Sequence, residues 1–182
     1  ILPSPRRIRE TLIHARADGY PDLEDPLAVL DCTLPEQEIR ERWPSLWMYL
    51  EQGRAQGLHL RYLARHRSPW YAQERREPAP FLCTYMGRAT SGRGERPFRF
   101  LSNRSQAIAP NVYLMMFPKG QLREALTRDP ALLSVVHELL EAIDAEALLR
   151  ERRTYGGGLH KMEPRELVAL PVAGLDRVLS TC

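Results

Sequence analysis

Apolar positions in this chain change their spacing from one stretch to the next, and the spacing predicts the elements. Residues 1–26 hold no period: Pro3, Pro5, Gly19, Pro21 and Pro26 interrupt them around one short amphipathic piece near Ile8–Ala15. Leu27-Ala28-Val29-Leu30-Asp31-Cys32 is an apolar run between Pro26 and Pro35, which predicts a strand. Pro35-Glu36-Gln37-Glu38 then has the marks of a helix start, with proline in the first turn and carboxylates at the positive end of the dipole. Ile39 and Trp43 mark its buried side. Pro44 ends it and opens a second helix, in which Leu46, Trp47, Tyr49 and Leu50 recur at helical spacing. Gly53 and Gly57 loosen this helix, which is predicted to run to about Arg67.

From residue 78 the pattern turns to strands. Phe81–Met86 is rich in β-formers and closes at Gly87. Gly92, Gly94 and Pro97 make a basic loop, Phe98-Arg99-Phe100-Leu101 alternates, and Val112–Phe117 is a buried strand stopped by Pro118. Asp129-Pro130 is a helix cap followed by proline. Leu132, Leu133, Val136, Leu139, Leu140 and Ile143 then keep one apolar face, the clearest helix in the chain. Asp144 caps a short helix to Leu149, Tyr155–Leu159 is a turn, Pro164 starts another short helix, and Leu170-Pro171-Val172 is extended. Residues 1–34 read as a linker and edge segment, and residues 35–182 as a domain with a helical part over about 35–77 and a mixed part over about 78–182.

Composition changes this picture through the distribution of charge. The net charge is only +3, yet residues 1–53 carry −4, residues 54–104 carry +8 and residues 105–182 carry −1. A local excess of that size suits a polyanion-binding surface, or a solvated face whose arginines pair with acids elsewhere. With 43% hydrophobic residues the chain is able to build a core. Cys32, Cys83 and Cys182 are far apart and form no CxxC pair, which argues against a disulfide framework or a zinc site and for a reducing, cytoplasmic setting. No stretch approaches the ~20 apolar residues of a membrane helix. The start at Ile1, without methionine or a signal-peptide pattern, reads as that of an excised fragment.

Catalytic patterns are absent. Lys119-Gly120 is the reverse of a phosphate-loop order, and Gly92-Arg93-Gly94 lacks the third glycine of a dinucleotide fingerprint. His14, His59, His66, His137 and His160 show no metal-ligand spacing. No complete active site is expected, and a hydrolase or metal enzyme is the least favoured class. Two segments do stand out. Trp70–Pro78, with paired Arg75 and Arg76, is followed by Tyr85-Met86-Gly87-Arg88. Aromatic rings beside arginines suit a phosphate-bearing ligand, while a core role for Trp70 and Tyr71 with Arg–Glu pairing fits equally well. Tyr155-Gly156-Gly157-Gly158-Leu159-His160-Lys161 permits close backbone approach to another molecule, or serves only its own turn.

These segments, in order with Pro97-Phe98-Arg99-Phe100, Asn103-Arg104-Ser105, Asn111, Tyr113-Leu114 and Met162-Glu163-Pro164, resemble the C-terminal part of adenine-specific DNA methyltransferases of type II restriction–modification systems in the gamma arrangement. The resemblance implies an α+β target-recognition domain, a small mixed β-sheet with flanking helices. It also implies an N-terminal methyltransferase domain that binds S-adenosylmethionine and holds a flipped adenine in an Asn/Asp-Pro-Pro-Tyr/Phe tetrad. This chain has no Pro-Pro dipeptide, so neither the tetrad nor the cofactor is expected in it. The expected partners are double-stranded DNA and the protein's own methyltransferase domain, with no membrane. Arg75, Arg76, Arg88, Arg104 and Lys161 are candidates for phosphate or base contact, and Asn103 and Asn111 for reading adenine, unless they are turn-formers. Gly156, Gly157 and Gly158 would allow backbone approach, followed by His160; Arg99 reads as facing solvent. The alternative is a module that docks onto a catalytic or other subunit through Trp43, Trp47 and Trp70.

Overall fold

The computed structural model describes residues 1–88, 96–150, 153–155 and 159–180. The chain forms two compact units, residues 28–76 and residues 1–27 with 77–182. The architecture is α+β, as the resemblance implied.

In the larger unit, strands β1 (Leu12–Ile13), β2 (Phe81–Thr84), β4 (Phe100–Asn103) and β5 (Tyr113–Met116) form a sheet in the order β1-β4-β2-β5. β1 runs parallel to β4, and β2 is antiparallel to both β4 and β5. Both faces are covered, which explains the unbroken apolar run Phe81-Leu82-Cys83. On one face Phe81, Cys83, Phe98 and Phe100 pack with Leu126, Val136, Leu140, Leu148 and Val178. These come from helices α4 (Gly120–Arg128), α5 (Leu132–Glu141), α6 (Ala145–Arg150) and α8 (Leu175–Ser180). On the other, Leu82, Leu101 and Tyr113 pack with Leu2, Ile8 and Ile13, so residues 1–27 supply an edge strand and part of a core. Burying each large side chain here contributes about 2–3 kcal/mol.

Asp144 acts as expected, its Oδ2 accepting the Ala147 N–H at 3.2 Å, whereas α5 begins at Leu132 with Ala131 as its N-cap, and Asp129 instead closes α4 while its Oδ1 accepts the Ala131 N–H at 3.0 Å. Helix α4 was not predicted, although Leu122, Ala125 and Leu126 have helical spacing and the last two are buried. Cys83 is fully enclosed, and burial pushes its thiol up to about 12, so it is no nucleophile.

A second sheet corrects the reading that the strand begun at Phe81 closes at Gly87. The chain leaves β2, turns at Tyr85 and enters β3 (Met86–Arg88), which pairs antiparallel with β7 (Leu159–Lys161), itself paired with β6 (Arg153–Tyr155). Gly87 is central to β3. A Cβ there would lie 1.4 Å from the Pro97 carbonyl oxygen, so only glycine fits. Helix α7 (Pro164–Ala169) follows β7.

The 28–76 unit is helical, with α1 (Glu36–Arg42), α2 (Pro44–Ala55) and α3 (Tyr62–Arg65) around Cys32, Ile39, Leu50 and Tyr71. The predicted helix to Arg67 stops at Ala55 because Gly57 takes φ +71°, a left-handed conformation that ends a helix. Residues 27–32 are not a strand. Among the described residues no strand pairs with them, and Leu30 and Cys32 instead pack on the helices.

Candidate nucleic-acid interface

The small sheet gathers several predicted residues. Met86, Lys161 and Arg153 are backbone partners in one row, Gly87, His160 and Thr154 in the next, and Arg88, Leu159 and Tyr155 in the third. The strand ends that flank residues 156–158 therefore stand in register with Arg88, where β3 ends. Gly156, Gly157 and Gly158 themselves lie outside the described residues, as does the Arg88 side chain. Arg153 joins this sheet although the sequence reading did not select it; its basic type was the only signal.

Lys161 is held at a fixed position. Its Nζ lies 2.6 Å from Glu163 Oε1 and 4.9 Å from the centre of the Tyr85 ring. The hydrogen bond to Glu163, and then that to Tyr85, raise its pKa. Glu163 is positioned in turn by the start of α7, its N–H donating to the Glu166 carboxylate at 2.7 Å. The result is a cation anchored at the end of the sheet's central strand, able to meet a phosphate by exchanging or sharing its carboxylate partner. His160, by contrast, is only 5% exposed. Its place opposite Gly87 makes it a residue of the sheet's interior side rather than a surface contact.

Elsewhere the structure separates residues that looked alike. Asn103 is buried: its Nδ2 donates to the carbonyls of Ala79 (3.3 Å) and Ala107 (2.9 Å), and its Oδ1 accepts the N–H and hydroxyl of Ser105. Both amide donors are consumed, so Asn103 builds the 103–107 turn and does not read a base. Asn111 is exposed in the turn before β5. Arg104 is partly buried, donates to Ser134 Oγ at 3.0 Å, and has its pKa lowered by burial. Arg75 and Arg76 belong to the 28–76 unit and are exposed, Arg76 with a 3.1 Å ion pair to Glu74.

Arg99 does not simply face solvent. Its guanidinium donates to the carbonyls of Ile8 (2.7 Å) and Arg9 (2.7 Å), and at longer range to those of Pro5 and Glu10, clamping the N-terminal segment. Other arginines of the basic stretch are likewise engaged: Arg54 with Glu36 and Glu51, Arg67 with Gln73, and Arg96 with the Glu141 carbonyl. The local excess of +8 thus overstates the cationic surface, since several of these arginines are held by internal partners.

Among the described residues no three His, Cys, Asp or Glu side chains form a metal-ligand group, and no helix is long and apolar enough to cross a membrane.

Comparison with known proteins places this geometry in a family. Residues 23–181 match the C-terminal domain of the type II methyltransferase M.Eco57I, and the chain belongs to that family. It is 29% identical over 130 residues to the type II methyltransferase M.XamI of Xanthomonas campestris pv. amaranthicola, covering 71% of this chain and 22% of the relative. It is 27% identical over 119 residues to the type II methyltransferase M.AccI of Acinetobacter calcoaceticus, covering 65% of this chain and 20% of the relative. The matched region is about a fifth of the length of either relative. No solved structure matches.

Proposed function

We propose that this chain recognises duplex DNA for a type II, adenine-specific DNA methyltransferase. Membership of a methyltransferase C-terminal-domain family supports a role beside the catalytic machinery. The observation that carries the DNA reading is the three-stranded sheet, whose nine positions include Arg88, Arg153 and Lys161 and whose register aligns Arg88 with Tyr155 and Leu159, the residues that flank the three glycines in sequence. Basic residues stand at both ends of this small sheet and suit phosphate contacts, and glycines, which lack a side chain, leave room for backbone approach. Arg75, Arg76 and Arg104 add cationic contacts, and the exposed amide of Asn111 is the remaining candidate for reading adenine.

S-adenosylmethionine, which supplies the transferred methyl group, belongs in this reading to the methyltransferase domain. Its sulfonium is a cation. A groove in the 28–76 unit carries arginines and no carboxylate among the described residues, and does not fit it. The working compartment is the cytoplasm.

A binding selection from randomised duplexes tests the proposal. The 182-residue chain should enrich sequences sharing an adenine-containing motif, and Asn111→Ala should relax one position of it, by about 1–3 kcal/mol. Recovery of sequences with no shared motif would count against recognition. A second reading has one observation of its own: Trp43 and Met48 of the 28–76 unit are 40% and 63% exposed, as expected of a face that docks onto the methyltransferase domain or another subunit.

A further inference from the structure

We propose that a groove in the 28–76 unit receives one unpaired nucleotide of the DNA that the domain binds; this rests on the DNA-recognition reading above. The groove is open, about 720 Å³ in volume, and every residue lining it lies between Ala28 and Gln73. Four aromatic rings border it: Tyr49 from α2, Tyr62 from α3, Trp70 and the buried Tyr71. Tyr49 and Tyr62 are 63% and 70% exposed, so their faces are open to a ligand. Tyr62 is braced from behind, its ring 4.7 Å from that of His66 and 5.3 Å from the Arg65 guanidinium.

The charge on the groove selects among ligands. Its only charged lining residues among those described are Arg61 and Arg67, and no carboxylate borders it. Arg67 is oriented by Gln73, whose Oε1 accepts from it at 3.1 Å. Four acids of this unit are engaged with other arginines: Glu36 and Glu51 with Arg54, Glu38 with Arg42, and Glu74 with Arg76. An apolar peptide would use the rings but leave both arginines unpaired. A nucleotide uses both, its base against the aromatic rings and its phosphate on the guanidinium groups, which is how sequence-tolerant single-strand sites are built. The volume lies within the range of pockets that enclose small organic ligands.

Fluorescence anisotropy of the whole 182-residue chain tests this with three duplexes of one length and sequence: fully paired, carrying one extra unpaired adenine, and carrying an abasic nucleotide in its place. The unpaired-adenine duplex should bind about tenfold tighter than the other two, the worth of one base–aromatic stack. Tyr62→Ala and Arg61→Ala, both at exposed positions, should each cut that preference to within about twofold while circular dichroism stays unchanged. Equal affinity for all three duplexes would overturn the proposal and leave DNA recognition standing. So would an abasic duplex that binds as well as the unpaired adenine, or a preference that survives Tyr62→Ala. Failure to bind any duplex would end both readings.

Discussion

The four-stranded sheet is covered on both faces and turns its polar groups inward: Thr84 Oγ1 accepts the Arg99 N–H at 3.0 Å, and the Asn103 amide is fully used by the turn after β4. The three-stranded sheet, entered through Tyr85, carries on its central strand a lysine fixed by Glu163. Basic residues occur in or beside both regions, yet Arg99 beside the first binds backbone carbonyls, while Lys161 in the second is held by a carboxylate that a phosphate is able to replace in the proposed reading. Residue type alone did not distinguish these roles. The location of each hydrogen-bonding partner did.

The largest effect should come from the link between the sheets. Gly87→Ala sets a Cβ against a backbone carbonyl that has no flexible side chain to move, and should cost more than about 4 kcal/mol or abolish soluble expression, read by urea unfolding. Asn103→Ala should come next. It leaves two buried carbonyls and the Ser105 donors without their partner, for a loss of about 2–4 kcal/mol by the same method. Asn111→Ala, at an exposed turn, should stay within about 0.5 kcal/mol. Equal stability of the two asparagine variants would break the contrast drawn between them.

Arg99→Ala should cost about 1–3 kcal/mol and speed amide exchange in residues 5–10 selectively. Arg99→Lys should not restore protection, because a single ammonium cannot span several carbonyls as the guanidinium fork does. Smallest in stability is Lys161→Met, which should barely move the unfolding midpoint. In DNA binding it should lower the salt slope by about one. An unchanged slope would place Lys161 with the structural residues and weaken the contrast between the sheets.

Much of the larger sheet was legible in the sequence. Its strands β2 and β5 are apolar runs, and such runs declare themselves without knowledge of their partners. The small sheet was not legible, because three-residue strands such as Leu159–Lys161 carry no period and exist only through pairing with distant strands. Gly87 was read as a strand end for the same reason: the carbonyl that demands glycine belongs to Pro97. Arg99 bonds carbonyls 89 to 94 positions away, and Asn103 one 24 positions away, distances over which local patterns carry no information. The run at residues 27–32 misled in the opposite direction, since apolarity alone does not supply a partner strand.

The central claim is that basic side chains of this chain, Lys161 among them, serve duplex DNA. Its most direct test is the affinity of the 182-residue chain for duplex DNA as a function of salt concentration. The account predicts binding at low salt that weakens steeply, with a log–log slope of about −0.9 for each phosphate neutralised and several phosphates engaged. Absence of binding at low salt, or affinity independent of salt, would contradict it.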